Sequence, residues 1–158
     1  MTTLPTDLHA GSTIPTLACI RVRAAADQLS TLRGMTCNIA YNHGFDVDGV
    51  ADLELAIDEA ASMLIALAAP GTDITCTFTA PENALRIAVS ATSTTGQPAG
   101  KSSFSWFVLE SLTDSVELDV EHQASIAYIG SDDARRRDAS NASIVTITLQ
   151  KNLLHRPE

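Results

Sequence analysis

The chain has 158 residues, 45% of them hydrophobic but only 4% aromatic, and a formal net charge of −9. Length and composition predict one globular domain with an aliphatic core and exclude a disordered chain. The acidic balance excludes a nucleic-acid surface and favours basic partners, and no apolar run reaches the ~18 residues of a membrane span.

Met1–Pro15 lacks the basic and apolar regions of a signal peptide and reads as a flexible tail, with the domain at 16–150 and a short tail at 151–158. Leu17–Arg23 alternates as a first strand, and Ala24–Tyr41 follows as a helix with Leu29, Leu32, Met35, Thr36 and Ile39 in its buried stripe. Asn42-His43-Gly44 stops it, with Gly44 as the left-handed cap. A second helix through Asp52–Ala69 carries the strongest period in the chain and is expected to begin near Asp48 as N-cap and to end at Pro70-Gly71. Asp58 and Glu59 lie in its middle, where it becomes almost wholly apolar; Asp58 reads as a solvent-facing residue.

The period then changes to two. Ile74, Cys76 and Phe78, then Leu85, Ile87 and Val89, form a hairpin about Pro81-Glu82-Asn83. Thr92–Ser103 is a polar loop. Phe104–Leu112 reads as a short helix in which Phe104, Phe107, Val108 and Leu112 share a face that Trp106 and Leu109 broaden. Ser115–Val120, Ser125–Ile129 and Ser143–Leu149 are expected strands, and Arg135-Arg136-Arg137, flanked by aspartates, reads as a self-compensated loop. Helices and strands do not alternate strictly, so an α+β architecture is expected: a two-layer sandwich with a mixed, mostly antiparallel sheet and three helices on one face. Cys19, Cys37 and Cys76 have no zinc-like spacing and read as reduced, buried thiols of a cytoplasmic protein without a metal site.

Two stretches carry a resemblance: Val50-Ala-Asp-Leu-Glu-Leu-Ala-Ile-Asp-Glu-Ala-Ala and Gly100-Lys-Ser-Ser-Phe-Ser-Trp-Phe-Val-Leu-Glu-Ser-Leu-Thr-Asp-Ser-Val. With the element order, they resemble the ATP-binding fold shared by histidine kinases, type II topoisomerases and bacterial anti-sigma-factor serine kinases, over about Leu17–Leu149. Within that group the chain is similar to RsbW-type anti-sigma factors, and most of all to the mycobacterial UsfX-like anti-sigma-F subgroup. The resemblance implies a homodimer that sequesters an alternative sigma factor and is released by an anti-anti-sigma partner. It also implies an ATP- and magnesium-dependent serine kinase.

The implied nucleotide site can be placed residue by residue. Glu59 matches the general base, but the magnesium-binding Asn one turn on is Met63, and a thioether is a poor ligand for a hard cation. The adenine-reading Asp is Ala91, with Gly96 alone near the glycines expected after it. The Gly-x-Gly before the third helix is Ser103 and Ser105, with Gly100-Lys101 just upstream. One of four key features survives, so these substitutions predict weak or lost nucleotide binding, no resident ATP or magnesium, and a regulator rather than a kinase. An active kinase with an altered pocket, or an interaction domain without a sigma factor, are the alternatives. The family's sigma contact falls on Arg33, six residues past Asp27, and Trp106 is a candidate partner anchor or a core residue.

Overall fold

The computed structural model describes residues 14–94, 100–122 and 142–154. The chain runs β1 (Thr16–Arg23), a 3-10 turn (Ala26–Gln28), α1 (Leu29–Asn42), α2 (Val47–Leu67), β2 (Asp73–Thr79), β3 (Ala84–Ser93), α3 (Phe104–Leu112), β4 (Ser115–His122) and β5 (Ser143–Asn152). The expected strand Ser125–Ile129, the Arg135–Arg137 loop and Gly96 lie outside the described residues. The five strands form one sheet in the order β1-β2-β3-β5-β4, antiparallel at each of its four pairings. The expected α+β sandwich is therefore observed, and its mostly antiparallel sheet is antiparallel throughout the described strands.

Period-two alternation gives the sheet one apolar face. Ile74, Cys76 and Phe78 of β2, Ile87, Val89 and Ala91 of β3, and Val145, Ile147 and Leu149 of β5 are all buried. Against them α2 lays Leu53, Ala56, Ile57, Ala60, Ala61 and Leu64, a stripe at spacings of three and four. Helix α1 packs on α2 with Leu32, Thr36 and Ala40 buried, and α3 packs on the other part of α2 with Trp106 and Leu109 buried. The opposite sheet face carries Thr75, Thr77, Ser90, Thr146 and Thr148, all half-buried.

Three expectations are corrected. Helix α2 is capped by Asp46, not Asp48: the Asp46 carboxylate accepts from the Gly49 N–H at 2.8 Å. Only glycine fits there, because a Cβ on Gly49 would stand 2.9 Å from the Phe45 ring. On α3, Phe104 and Phe107 are 80% and 66% exposed, and the buried pair is Trp106 and Leu109. The helix has apolar residues on every side, so its period selects no face, and the largest ring is the one buried. Of the thiols only Cys76 is buried, since Cys37 is half-buried and Cys19 lies on the open face of β1. Burial pushes the Cys76 thiol up to about 12.

The turns follow their sequence signals. Gly44 takes φ +99° after α1, and the Phe45 N–H then reaches back to the Ala40 carbonyl at 3.1 Å, the bond pattern of a left-handed helix stop. Asn83 adopts φ +54° at the β2–β3 turn, a conformation asparagine tolerates. Strand β5 continues past the expected domain end at 150. Lys151 ion-pairs with Asp52 at 3.0 Å and donates to the Leu112 carbonyl at 2.9 Å, tying the start of α2 to the end of α3. No described helix is long and apolar enough to cross a membrane.

Candidate functional site

Helix α2 presents its two central carboxylates to different surroundings. Successive residues are rotated by about 100° around a helix axis. Asp58 faces α1, where it accepts a hydrogen bond from the Arg33 guanidinium at 3.0 Å. The expectation of a solvent-facing Asp58 is thus replaced by a partner 25 residues away in sequence, which no local pattern announces. One turn earlier, Glu54 accepts from Cys37 of α1; burial and then this carboxylate hold the Cys37 thiol above its usual range. Glu59 is half-buried and makes no hydrogen bond or ion pair among the described residues. Met63, one turn on, is half-buried and packs against the core.

The other nucleotide positions are occupied by structural work. Ala91 is 4% exposed, sits between Ile74 and Val145 in the sheet, and offers no polar side-chain atom to a base. Ser103 is the N-cap of α3, its hydroxyl accepting from the Trp106 N–H at 3.2 Å. An amide that could have pointed at a phosphate is therefore already paired. Gly100 is exposed and a Cβ there would meet nothing within 4 Å, so no close backbone approach requires it. Ser105 is half-buried. Lys101 is exposed and sits 5.9 Å from the Trp106 ring centre, in reach of a cation–π contact.

Two open pockets are found among the described residues. One, about 360 Å³, lies on the open sheet face around Arg21, Thr75, Ser90 and Thr92, and the other, about 940 Å³, lies at the start of α2. Neither is lined by Glu59, Met63, Lys101, Ser103 or Ser105. Among the described residues at these positions, Glu59 is the one carboxylate, Met63 and Ala91 offer no hard oxygen donor for magnesium, and the Ser103 hydroxyl is committed to a helix cap, while Ser105 and Lys101 keep polar groups.

The α1 surface is arranged differently. The Arg33 side chain is 41% exposed even while bonded to Asp58, whose side chain is 35% exposed, so a partner carboxylate can reach the guanidinium. Asp27 lies in the 3-10 turn and pairs with Arg23 at 3.2 Å, not with Arg33. Trp106 is 1% exposed, with its indole N–H donated to Glu110 at 3.0 Å, so the structure places it in the core. The exposed aromatic side chains of α3, Phe104 and Phe107, belong to a helix whose apolar period did not distinguish inside from outside.

No protein-family model matches the chain. Among curated proteins it is similar to the anti-sigma-F factor RsbW of Mycobacterium tuberculosis, in both strain CDC 1551 / Oshkosh and strain ATCC 25618 / H37Rv. Each match is 33% identical over 98 residues, which is 62% of this chain. The chain spans 58% of the length of these curated relatives.

Proposed function

We propose that this chain is a cytoplasmic anti-sigma factor of the RsbW type, which sequesters an alternative sigma factor and is released when an anti-anti-sigma partner takes its place. The observation that carries this reading is the 33% identity over 98 residues to anti-sigma-F factors. The helical-layer-on-sheet architecture and the half-exposed Arg33 on α1 support it. Two proteins that compete for one face cannot both bind, so mass action among exclusive complexes suffices for switching. In the bound state Arg33 exchanges Asp58 for an acidic group of the sigma factor. The half-covered β1–α1 edge, with Ala18, Ile20 and Val22 only partly buried, provides the contact for a homodimer.

Phosphate transfer is not part of the proposed mechanism, because Met63, Ala91 and the capped Ser103 remove the metal ligand, the adenine anchor and an open phosphate-binding amide. The test is co-purification with each sigma factor of the host, with and without ATP–magnesium. The expected result is nucleotide-independent capture of one sigma factor, lost in Arg33→Ala. Capture of none overturns the reading, and phosphorylation of a partner serine that Glu59→Ala abolishes restores the kinase.

A further inference from the structure

The helices cover one face of the sheet, and no described helix packs on the other. The rows of this open face can be followed from strand to strand. Arg21 stands beside Thr75, Thr75 beside Ser90, Ser90 beside Thr146 and Thr146 beside Asp119. The next row runs from Cys19 through Thr77, Ala88 and Thr148 to Glu117. Charge is therefore ordered across the sheet: β1 at one edge presents Arg21 and Arg23, and β4 at the other presents Glu117, Asp119 and Glu121. With Arg86 and Asp73 the face holds three arginines against four carboxylates, nearly balanced on a chain whose net charge is −9. Arg21, Glu117, Asp119 and Glu121 are exposed and have no partner among the described residues. The centre is different. The Ser90 and Thr146 hydroxyls bond to each other at 2.9 Å, and Arg86 donates to Gln150 Oε1 at 2.7 Å. These groups can lose water without being orphaned.

Two copies set face to face can be related by a two-fold axis that runs in the plane of contact, either across the strands or along them. An axis across the strands lays β1 on β1 and β4 on β4, arginine against arginine and carboxylate against carboxylate. An axis along β3 lays β1 on β4 and keeps every row in place. Arg21 then faces Asp119 of the second copy, Arg23 faces Glu121, and each pair occurs twice. At the centre Ala88 and Ser90 meet their own symmetry mates, and such small side chains permit the roughly 10 Å approach of aligned sheets. We infer that the open face is an interface through which two copies of this chain stack sheet on sheet, their register set by the β1 arginines and the β4 carboxylates. Strand length and spacing give a contact of about 600 Å² per copy, at the small end of specific interfaces, so the association is weak and salt-sensitive. It leaves Arg33 and the helical layer free and uses the outward side of β1, not the inward Ala18, Ile20 and Val22. It therefore goes beyond the function proposed above and does not depend on it.

The experiment is sedimentation equilibrium of the full chain at concentrations up to about 0.2 mM and an ionic strength of about 0.1 M. Asp119→Arg places like charges together twice, and the association is expected to weaken by at least about tenfold. Mixing Asp119→Arg with Arg21→Asp restores both ion pairs, and the mixed species is expected to recover to within about threefold of the unmodified chain. Ala88→Arg, two strands from either edge, is expected to abolish stacking, whereas an edge-to-edge pairing of β1 with β4 would survive it and grow into open chains. Asp48→Arg changes charge as much as Asp119→Arg but lies in the helical layer, and is expected to change the association by less than about twofold. Thermal melts check that each variant is folded. A contact through the β1–α1 edge would persist in Asp119→Arg and Ala88→Arg, so the two interfaces fail separately. No self-association of the unmodified chain, no recovery in the mixture, equal losses for Asp48→Arg and Asp119→Arg, or association that survives Ala88→Arg each overturn the proposal.

Discussion

Asp58 and Glu59 are adjacent in sequence, yet the two flanks of α2 use them in opposite ways. On the flank facing α1, Asp58 is held by Arg33 and Glu54 by Cys37, so charge and polarity are partnered across the helix seam. On the other flank Glu59 has no partner among the described residues, and its neighbour one turn on is the thioether of Met63. A half-buried carboxylate without a partner persists where water still solvates it; deep burial would demand a compensating bond. The difference teaches that two adjacent carboxylates on one helix can have opposite surroundings, one partnered across a helix seam and one left to solvent. The flank with organised polar contacts is the one that faces α1.

The strongest way to break this comparison is to disturb the element that packs against the second flank. Trp106→Ala should cost about 3–5 kcal/mol in urea unfolding, since the ring is fully buried, whereas Phe107→Ala should change stability by less than about 0.5 kcal/mol. Equal effects would mean that α3 does not bury the face described. Beneath both flanks, Cys76 supplies a pH test. Its thiol is held at about 12 in the fold and returns to the ordinary range near 8.5 on unfolding. The unfolded chain therefore loses this proton first, so the stability due to the neutral thiol is complete below about pH 8.5. It then falls by about 1.4 kcal/mol per pH unit towards pH 12. In Cys76→Ala that component of the slope should vanish.

Smaller effects sharpen the contrast between the carboxylates themselves. Asp58→Asn should cost about 0.5 kcal/mol or less, because the pair is more than a third exposed and screened by solvent, and the cost should shrink further in high salt. Glu59→Gln should be neutral to within about 0.5 kcal/mol in the same denaturation assay. A greater loss for Glu59→Gln than for Asp58→Asn would reverse the assignment of the two flanks.

Much of the fold was legible because local patterns dictated it. The α2 stripe, the Thr-rich β2, the turn at Asn83 and the bounds of α3 at Phe104–Leu112 all follow from periods and turn chemistry. What escaped depends on tertiary neighbours. Asp58 has its partner on another helix, and α3 carried no polar face to say which side turns inward. The N-cap of α2 fell on Asp46 rather than Asp48 because the backbone bond goes to Gly49, and both aspartates satisfy the same sequence rule. Cys19 was expected inside, but in β1 its neighbours Ala18 and Ile20 face the core and it cannot share their side. That Met63 and Ala91 carry no polar oxygen is plain from their identities, whereas the commitment of the Ser103 hydroxyl to a helix cap required coordinates.

The strand order has a consequence for how the chain is made. β5 is the last of the described strands in sequence, yet it lies between β3 and β4, bonded to both. Until its final residues emerge from the ribosome, the edges of β3 and β4 that will flank it lack this partner. Placing β5 is therefore an insertion into the interior of the sheet rather than an addition at its margin, a non-local step of the kind that slows folding and leaves strand edges open to foreign pairing. The same step brings Lys151 to α2 and α3, so the helical layer is fastened only once β5 is in place.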